Sequence, residues 1–192
     1  MSILVLTSDT LIGTPATGNL EYNGQFFGTD SNASRAQLQR ITSGTAVAST
    51  SGTSIDFTGL PAWVKRITVI IKGMSTSGTS NPVIQLGSGS VTTTGYLTST
   101  WQANTTNANN TNGFVIRGTT TAALVQSGNL IINLLGSNIY VASGIFSQTG
   151  GADSIIVGGD ITLSGALDRV RITTTNGTDT FDAGSVNILY EG

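Results

Sequence analysis

The sequence predicts an all-β protein built as a largely antiparallel sandwich, and three observations carry that prediction. Charged residues make up only 9% of the 192-residue chain and aromatics 6%, while hydrophobic residues reach 38%. With enough apolar residues for a core and little charge to hold an unfolded chain apart, disorder is not expected. Gly, Ser, Thr and Asn fill the remaining positions, and Val, Ile and Thr favour pleated strands. No twelve-residue stretch carries a sustained helical period, whereas short alternating segments recur between Gly and Ser/Thr/Asn clusters. Long crossover segments are missing, so strand pairing is expected to be antiparallel.

In chain order, Ile3–Thr7 reads as a short strand followed by a turn at Gly13-Thr14-Pro15. Asn23-Gly24 is expected to close a two-residue hairpin in which Leu20-Glu21-Tyr22 faces Gln25-Phe26-Phe27. That register puts Leu20, Tyr22 and Phe27 on one face and Phe26 on the other. A lone hairpin is marginal in water and needs a covering surface. Tyr22, Phe26, Phe27 and Leu38 are therefore the candidate attachment or interface residues. Ser31–Ile41 fits either a short helix capped by Ser31 or Asn32 or an extended segment with Ala36 and Leu38 on one side. Thr42-Ser43-Gly44 marks a boundary, giving residues 1–43 as an N-terminal attachment and oligomerisation segment and 44–192 as the sandwich.

Beyond the boundary, strands are expected at Ala46–Ser49, Ser54–Phe57, Arg66–Lys72, Val83–Leu86, Tyr96–Ala103 and Phe114–Arg117. Further strands are expected at Asn129–Leu135, Ile139–Phe146, Ile161–Leu163, Asp168–Thr174, Asp179–Asp182 and Val186–Tyr190. Leu130–Leu135 is apolar on both sides and reads as a central strand. Asn176-Gly177 is the strongest hairpin signal, because both central residues of a type I′ turn need positive φ. The two-residue loop it implies puts Ile172 opposite Phe181 and Arg171 opposite Asp182, as an exposed ion pair.

The formal charge of −2 excludes a broad basic footprint for nucleic acid. Between Lys72 and Arg117 there is no ionisable side chain apart from Tyr96, so hydroxyls and amides must solvate that surface. Without Cys or His, disulfides, thiolate metal sites, His ligands and His-based nucleophilic triads are all excluded. No cofactor, metal site or catalytic residue is expected, and no membrane insertion: the apolar run Ile3–Leu6 has no basic segment ahead of it and is too short for a leader or an anchor. A carboxylate pair for glycan cleavage is formally conceivable. The nearest pair, Asp179 and Asp182, is expected on opposite faces of one strand, and Asp153, Asp160 and Asp168 at loops or strand ends read as turn residues. No EF-hand spacing is present. The Asn-X-Ser/Thr sequons and the Gly-Gly pairs fit the composition without a functional context.

Among the aromatics, Tyr96 shares a strand face with Thr98 and Thr100, while Trp101 shares the other with Leu97 and Ser99. The Leu97–Trp101 side is expected to face the core rather than to form a sugar platform. The polar stretch Asn104–Asn112 reads as a surface loop, either a solvated tip or a receptor contact, with Asn104, Asn107, Asn109, Asn110 and Asn112 as candidate contact residues. Trp63, after the Gly59-Leu60-Pro61-Ala62 turn, is expected to plug one end of the sandwich, with Lys65 and Arg66 facing solvent or an interface.

SIDFTGLPAWVKRITVIIKG (Ser54–Gly73), STSGTSNPVIQLGSG (Ser75–Gly89) and SGALDRVRITTTNGTDTFDAGSVNILYE (Ser164–Glu191) resemble the C-terminal modules of bacteriophage tail-fibre and related virion-surface proteins. GTPATGNLEYNGQFFGTDSNASRAQLQRI is similar to the short linking segments of such fibres. The resemblance implies a jelly-roll-like sandwich, a homotrimer and a place on the virion. Without shaft repeats, the chain would be a short tail fibre or fibre tip that mediates host attachment. It would be held to other virion proteins of the tail or capsid by residues 1–43, with a host-surface glycan as the candidate receptor. The alternatives are a capsid decoration or head fibre with an architectural role, and a carbohydrate-binding module or glycan hydrolase outside a virion.

Overall fold

Short runs of alternating Val, Ile and Thr become strands throughout the chain. The computed structural model describes residues 10, 11, 13, 14, 16–23, 25–102, 107–116, 121, 122, 124–150 and 153–192. The expected strand Ile3–Thr7 lies outside these residues, as do Pro15 of the first turn and Arg117. The chain divides into two compact units, Met1–Arg40 and Ile41–Gly192, three residues ahead of the 43/44 boundary expected from composition.

In the smaller unit, β1 (Leu20–Tyr22), β2 (Phe26–Thr29) and β3 (Arg35–Gln37) form a three-stranded antiparallel sheet in that order. The ambiguous stretch after Ser31 is thus extended. Asp30 turns the chain into it, its Oδ1 accepting from the amides of Asn32 and Ser34 at 2.9 Å each. The connection between β1 and β2 spans three residues, not two: Tyr22 faces Phe26, Glu21 faces Phe27 and Leu20 faces Gly28. A one-residue slip exchanges the faces of a strand. Phe26 therefore joins Leu20 and Tyr22, and Phe27 moves to the opposite side with Glu21.

The larger unit contains β4 (Ile41–Ser43), β5 (Val47–Ala48), β6 (Ser54–Thr58), β7 (Arg66–Thr76), β8 (Pro82–Ser88), β9 (Ser90–Val91) and β10 (Leu97–Gln102). It continues with β11 (Ala108–Asn110), β12 (Phe114–Val115), β13 (Val125–Gly136), β14 (Ile139–Thr149), β15 (Asp153–Thr162), β16 (Arg169–Thr174) and β17 (Phe181–Glu191). A nine-stranded sheet runs β11-β10-β15-β14-β13-β7-β17-β4, with β5 also on β17. A five-stranded sheet runs β12-β8-β16-β6, with β9 on β8. Every pairing is antiparallel.

One hydrophobic core joins the two sheets, an arrangement consistent with a β-sandwich. The long sheet contributes Ile67, Val69, Leu130, Ile132, Phe146, Ile155, Val157 and Ile188; the short sheet contributes Ile55, Ile84, Leu86, Phe114, Val170 and Ile172. As expected, β13 is interior, between β14 and β7. Trp63 is half-buried against this core, its ring centroid 5.7 Å from that of Tyr190.

The strongest sequence signal is not a hairpin. β16 pairs with β6 and β8 in the short sheet, while β17 pairs with β7, β4 and β5 in the long one. Gly177 has φ 70° but Asn176 is not among the positive-φ residues, so the type I′ requirement is unmet. Asn176 instead works as a side-chain cap: its Oδ1 accepts from the amides of Thr178 at 3.0 Å and Asp179 at 3.2 Å. The chain thereby passes from one sheet to the other, and Ile172 and Phe181 bury into the core from separate sheets. Arg171 pairs with its cross-strand neighbour Asp56 at 2.7 Å, not with Asp182. The expected strands Asp179–Asp182 and Val186–Tyr190 fuse into β17, bulged at Gly184 (φ 94°), where a Cβ would lie 2.4 Å from the Gly73 carbonyl oxygen.

Candidate interaction surfaces

In the smaller unit, β-alternation sorts side chains onto two unlike faces. Glu21, Phe27, Thr29 and Arg35 lie on one, where Arg35 Nε donates to Glu21 Oε2 at 2.7 Å with both side chains largely buried. Leu20, Tyr22, Phe26 and Leu38 lie on the other. The Tyr22 and Phe26 rings meet at a tilt of 43°, their centroids 5.0 Å apart. The Leu38 amide donates to the Phe26 carbonyl at 2.8 Å, which carries the pairing one step beyond β3. Leu20 is 64% exposed, Leu38 54% and Phe26 43%. Three of the four candidate interface residues, Tyr22, Phe26 and Leu38, therefore share an open apolar face, and Phe27 is turned away from it.

In the larger unit, the assignment of faces on β10 is the reverse of the expected one. Tyr96, Thr98 and Thr100 are buried, and Leu97 and Trp101 point outward. The threonines tolerate burial because each hydroxyl finds a carbonyl: Thr98 Oγ1 donates to Gly113 O at 2.9 Å and Thr100 Oγ1 to Val115 O at 2.7 Å. Tyr96 packs edge-on against Phe114 with centroids 5.3 Å apart. Its hydroxyl accepts from the Leu86 amide at 2.7 Å and lies 3.0 Å from Thr92 O. Burial pushes the Tyr96 phenol up to about 12, against the opposing pull of the Leu86 hydrogen bond.

The stretch expected to be a loop contains an edge strand. β11 pairs with β10, Asn109 facing Ser99 and Asn110 facing Thr98. Asn107 and Asn109 are exposed, whereas Asn110 and Asn112 are half-buried. Asn110 Nδ2 donates to Thr100 Oγ1 at 3.4 Å, and the Asn112 carbonyl accepts from Gln85 Nε2 at 2.8 Å. Asn104 lies outside the described residues.

The outward face of the long sheet is the feature that single-sequence reasoning missed. One cross-strand row runs Trp101, Ile156, Ile145, Asn129, Ile70 and Asn187 over six adjacent strands. Trp101 is 45% exposed, Ile156 46% and Ile145 60%. The next row, Ser99, Gly158, Ser143, Ile131, Thr68 and Leu189, is uncharged throughout. Charge enters at the margins: on one side at the exposed Lys72, opposite Ser185, and on the other at Asp160, which lies between Leu97 and Val141, and at the Arg66–Glu191 pair, whose shorter contact is 2.6 Å.

The carboxylates are engaged separately. Asp179 accepts from Ser80 N at 2.8 Å and from Asn176 Nδ2 at 2.6 Å, and the Asn176 amide foremost holds its carboxyl below the usual range. Asp182 accepts from the Ser75 hydroxyl. Asp168 binds Arg169 at 2.7 Å and the Gly89 amide at 3.0 Å, the Arg169 hydrogen bond being the main cause of its lowered pKa. A small concavity lined by Met74, Thr76, Ser80, Asn81 and Gln126 carries no ionisable side chain among the described residues. Nor, among those residues, do three His, Cys, Asp or Glu side chains gather where they could hold a metal ion. Comparison with known proteins finds no matching family model, no matching curated protein and no matching solved structure.

Proposed function

We propose that this chain is a structural, non-enzymatic component of a bacteriophage virion surface, a short fibre or fibre tip. In this reading three copies of a jelly-roll-like sandwich head stand on the particle and meet the host surface. The observation that carries it is the open apolar face of the smaller unit, formed by Leu20, Tyr22, Phe26 and Leu38. A three-stranded sheet of such short strands gains little stability by itself, and its exposed aromatic side favours burial against another virion protein. The exposed amides of Asn107, just ahead of the outer edge strand, and of Asn109, on it, supply donors and acceptors for a host-surface glycan. Weak contacts of that kind become effective through several copies.

The test introduces Phe26→Asp or Leu38→Asp into the full chain and measures its incorporation into particles. Loss of incorporation with an unchanged melting transition of the sandwich supports the attachment role. Incorporation equal to that of the unaltered chain refutes it. Imaging of particles labelled at residue 192 separates a tail position from a capsid decoration.

A further inference from the structure

We propose that the outward face of the nine-stranded sheet, centred on Trp101, Ile145 and Ile156, is the surface through which copies of this chain associate. The inference deepens the assembly part of the function proposed above and rests on that part alone. Leu97, Trp101, Ile131, Val141, Ile145 and Ile156 stand on three neighbouring strands and on β13 beside them, all on the side opposite the core. Their exposure runs from 38% for Ile131 to 70% for Leu97. The uncovered parts of these six side chains amount to roughly 600 Å², at the upper limit of the largest apolar patch on a typical monomer. Ile70 and the exposed Ser99, Ser143, Asn129 and Asn133 between and beside them extend the area toward the ~800 Å² that each partner contributes to a stable interface.

Charge argues for a second copy over a foreign partner. The two central rows hold no ionisable side chain among the described residues, so nothing there selects a partner by electrostatic complementarity. The two uncharged central rows tolerate a second copy without repulsion, with Asp160, Arg66 and Lys72 confined to the margins, and this matches the depletion of charge found at the centres of homo-oligomer interfaces. A sugar platform is the weaker reading of Trp101. The ring's neighbours toward the sheet centre are Ile156 and Ile145, which offer a hydroxylated ligand no hydrogen bonds.

The experiment measures the mass of the full-length chain by light scattering at micromolar concentration, for the unaltered protein, Ile145→Asp, Ile156→Lys and Thr175→Asp. Ile145 and Ile156 point away from the core, so both variants are expected to keep the circular dichroism and melting of the parent. Assembly of the parent, a shift of both variants to monomer mass and retention of assembly by Thr175→Asp support the surface. A monomeric parent overturns the proposal, as does assembly of both variants at the parent's mass. Glycan-array binding by a monomeric parent that is lost in Trp101→Ala also overturns it, in favour of a ligand platform. A monomeric chain that still enters particles refutes this surface and leaves the attachment role standing. Assembly that Ile145→Asp abolishes, in a chain never found on particles, upholds the surface and removes the virion reading.

Discussion

Replacing Tyr96 by Phe isolates one hydroxyl at the centre of the sandwich. β12 pairs with β8 only at Val83 and Ile84, and β9 resumes the edge at Gly87. The Leu86 amide falls in the gap, and the Tyr96 hydroxyl takes the place of a strand partner there at 2.7 Å. Tyr96→Phe keeps the ring and its edge-on contact with Phe114, so the loss is that of the polar group alone. A buried amide left without an acceptor costs about 1–3 kcal/mol. The expected destabilisation is therefore about 2 kcal/mol, or a fall in Tm of roughly 4–8 °C for a chain of this size.

The same hydroxyl predicts an alkaline signature. Its folded pKa, about 12, lies above the ordinary phenol value of about 10, so the stabilisation it represents is complete below pH 10 and is lost as the pH rises toward 12. A rise from about 10 to about 12 corresponds to roughly 2.7 kcal/mol. Urea unfolding at neutral pH and at several pH values above 9 measures both effects. The advantage of the parent over Tyr96→Phe should shrink through that alkaline window. A neutral-pH difference below about 0.5 kcal/mol, the range of unremarkable surface substitutions, together with parallel alkaline curves, would refute the reasoning.

Three further outcomes are expected. A double-mutant cycle on Arg171→Ala and Asp56→Ala should give a coupling of about 0.2–1 kcal/mol, whereas Arg171→Ala with Asp182→Ala should give none; coupling to Asp182 would restore the discarded hairpin. Because the carboxyl of Asp179 is held below the usual carboxylate range of about 4, its stabilisation is present above that range and lost as the pH falls through the depressed value. Asn176→Ala should weaken this acid loss in a pH series of thermal melts, and an unchanged acid limb would argue against the Asn176–Asp179 contact. Gly184→Ala should lower stability by more than about 1 kcal/mol, since φ is positive and a Cβ would lie 2.4 Å from the Gly73 carbonyl oxygen; a neutral effect in urea unfolding would mean that the bulge relaxes freely.

Parts of several strands of the larger unit were legible as alternating or doubly apolar runs, among them Arg66–Lys72 of β7, Asn129–Leu135 of β13 and Ile139–Phe146 of β14, each of which runs three or more residues further in the structure. Others were hidden by their chemistry. Ala108–Asn110 reads as loop because three small polar or neutral residues say nothing about pairing, and only the β10 edge makes them a strand. Asp153–Gly158, at the front of β15, has Gly and Asp around it, and the expected strand began at Ile161. In the smaller unit, Asn-Gly fixed the place of the connection but not its length, and one added residue moved Phe26 and Phe27 to opposite faces from those expected.

Composition and periodicity were thus enough to determine that the chain is all-β, antiparallel and free of thiol or imidazole chemistry, because these follow from residue types and from the two-residue repeat of a strand. Which strand lies beside which, and which face of β10 is inside, were decided by tertiary structure. Alternation separates two faces without saying which is buried when one carries Tyr, Thr and Thr and the other Leu, Ser and Trp. The carbonyls of Gly113 and Val115, brought beside β10 only by the fold, accept the threonine hydroxyls and leave Trp101 outside. Likewise the Asn176 side chain, by capping a turn instead of allowing positive φ at its own position, sends the last strand into the opposite sheet.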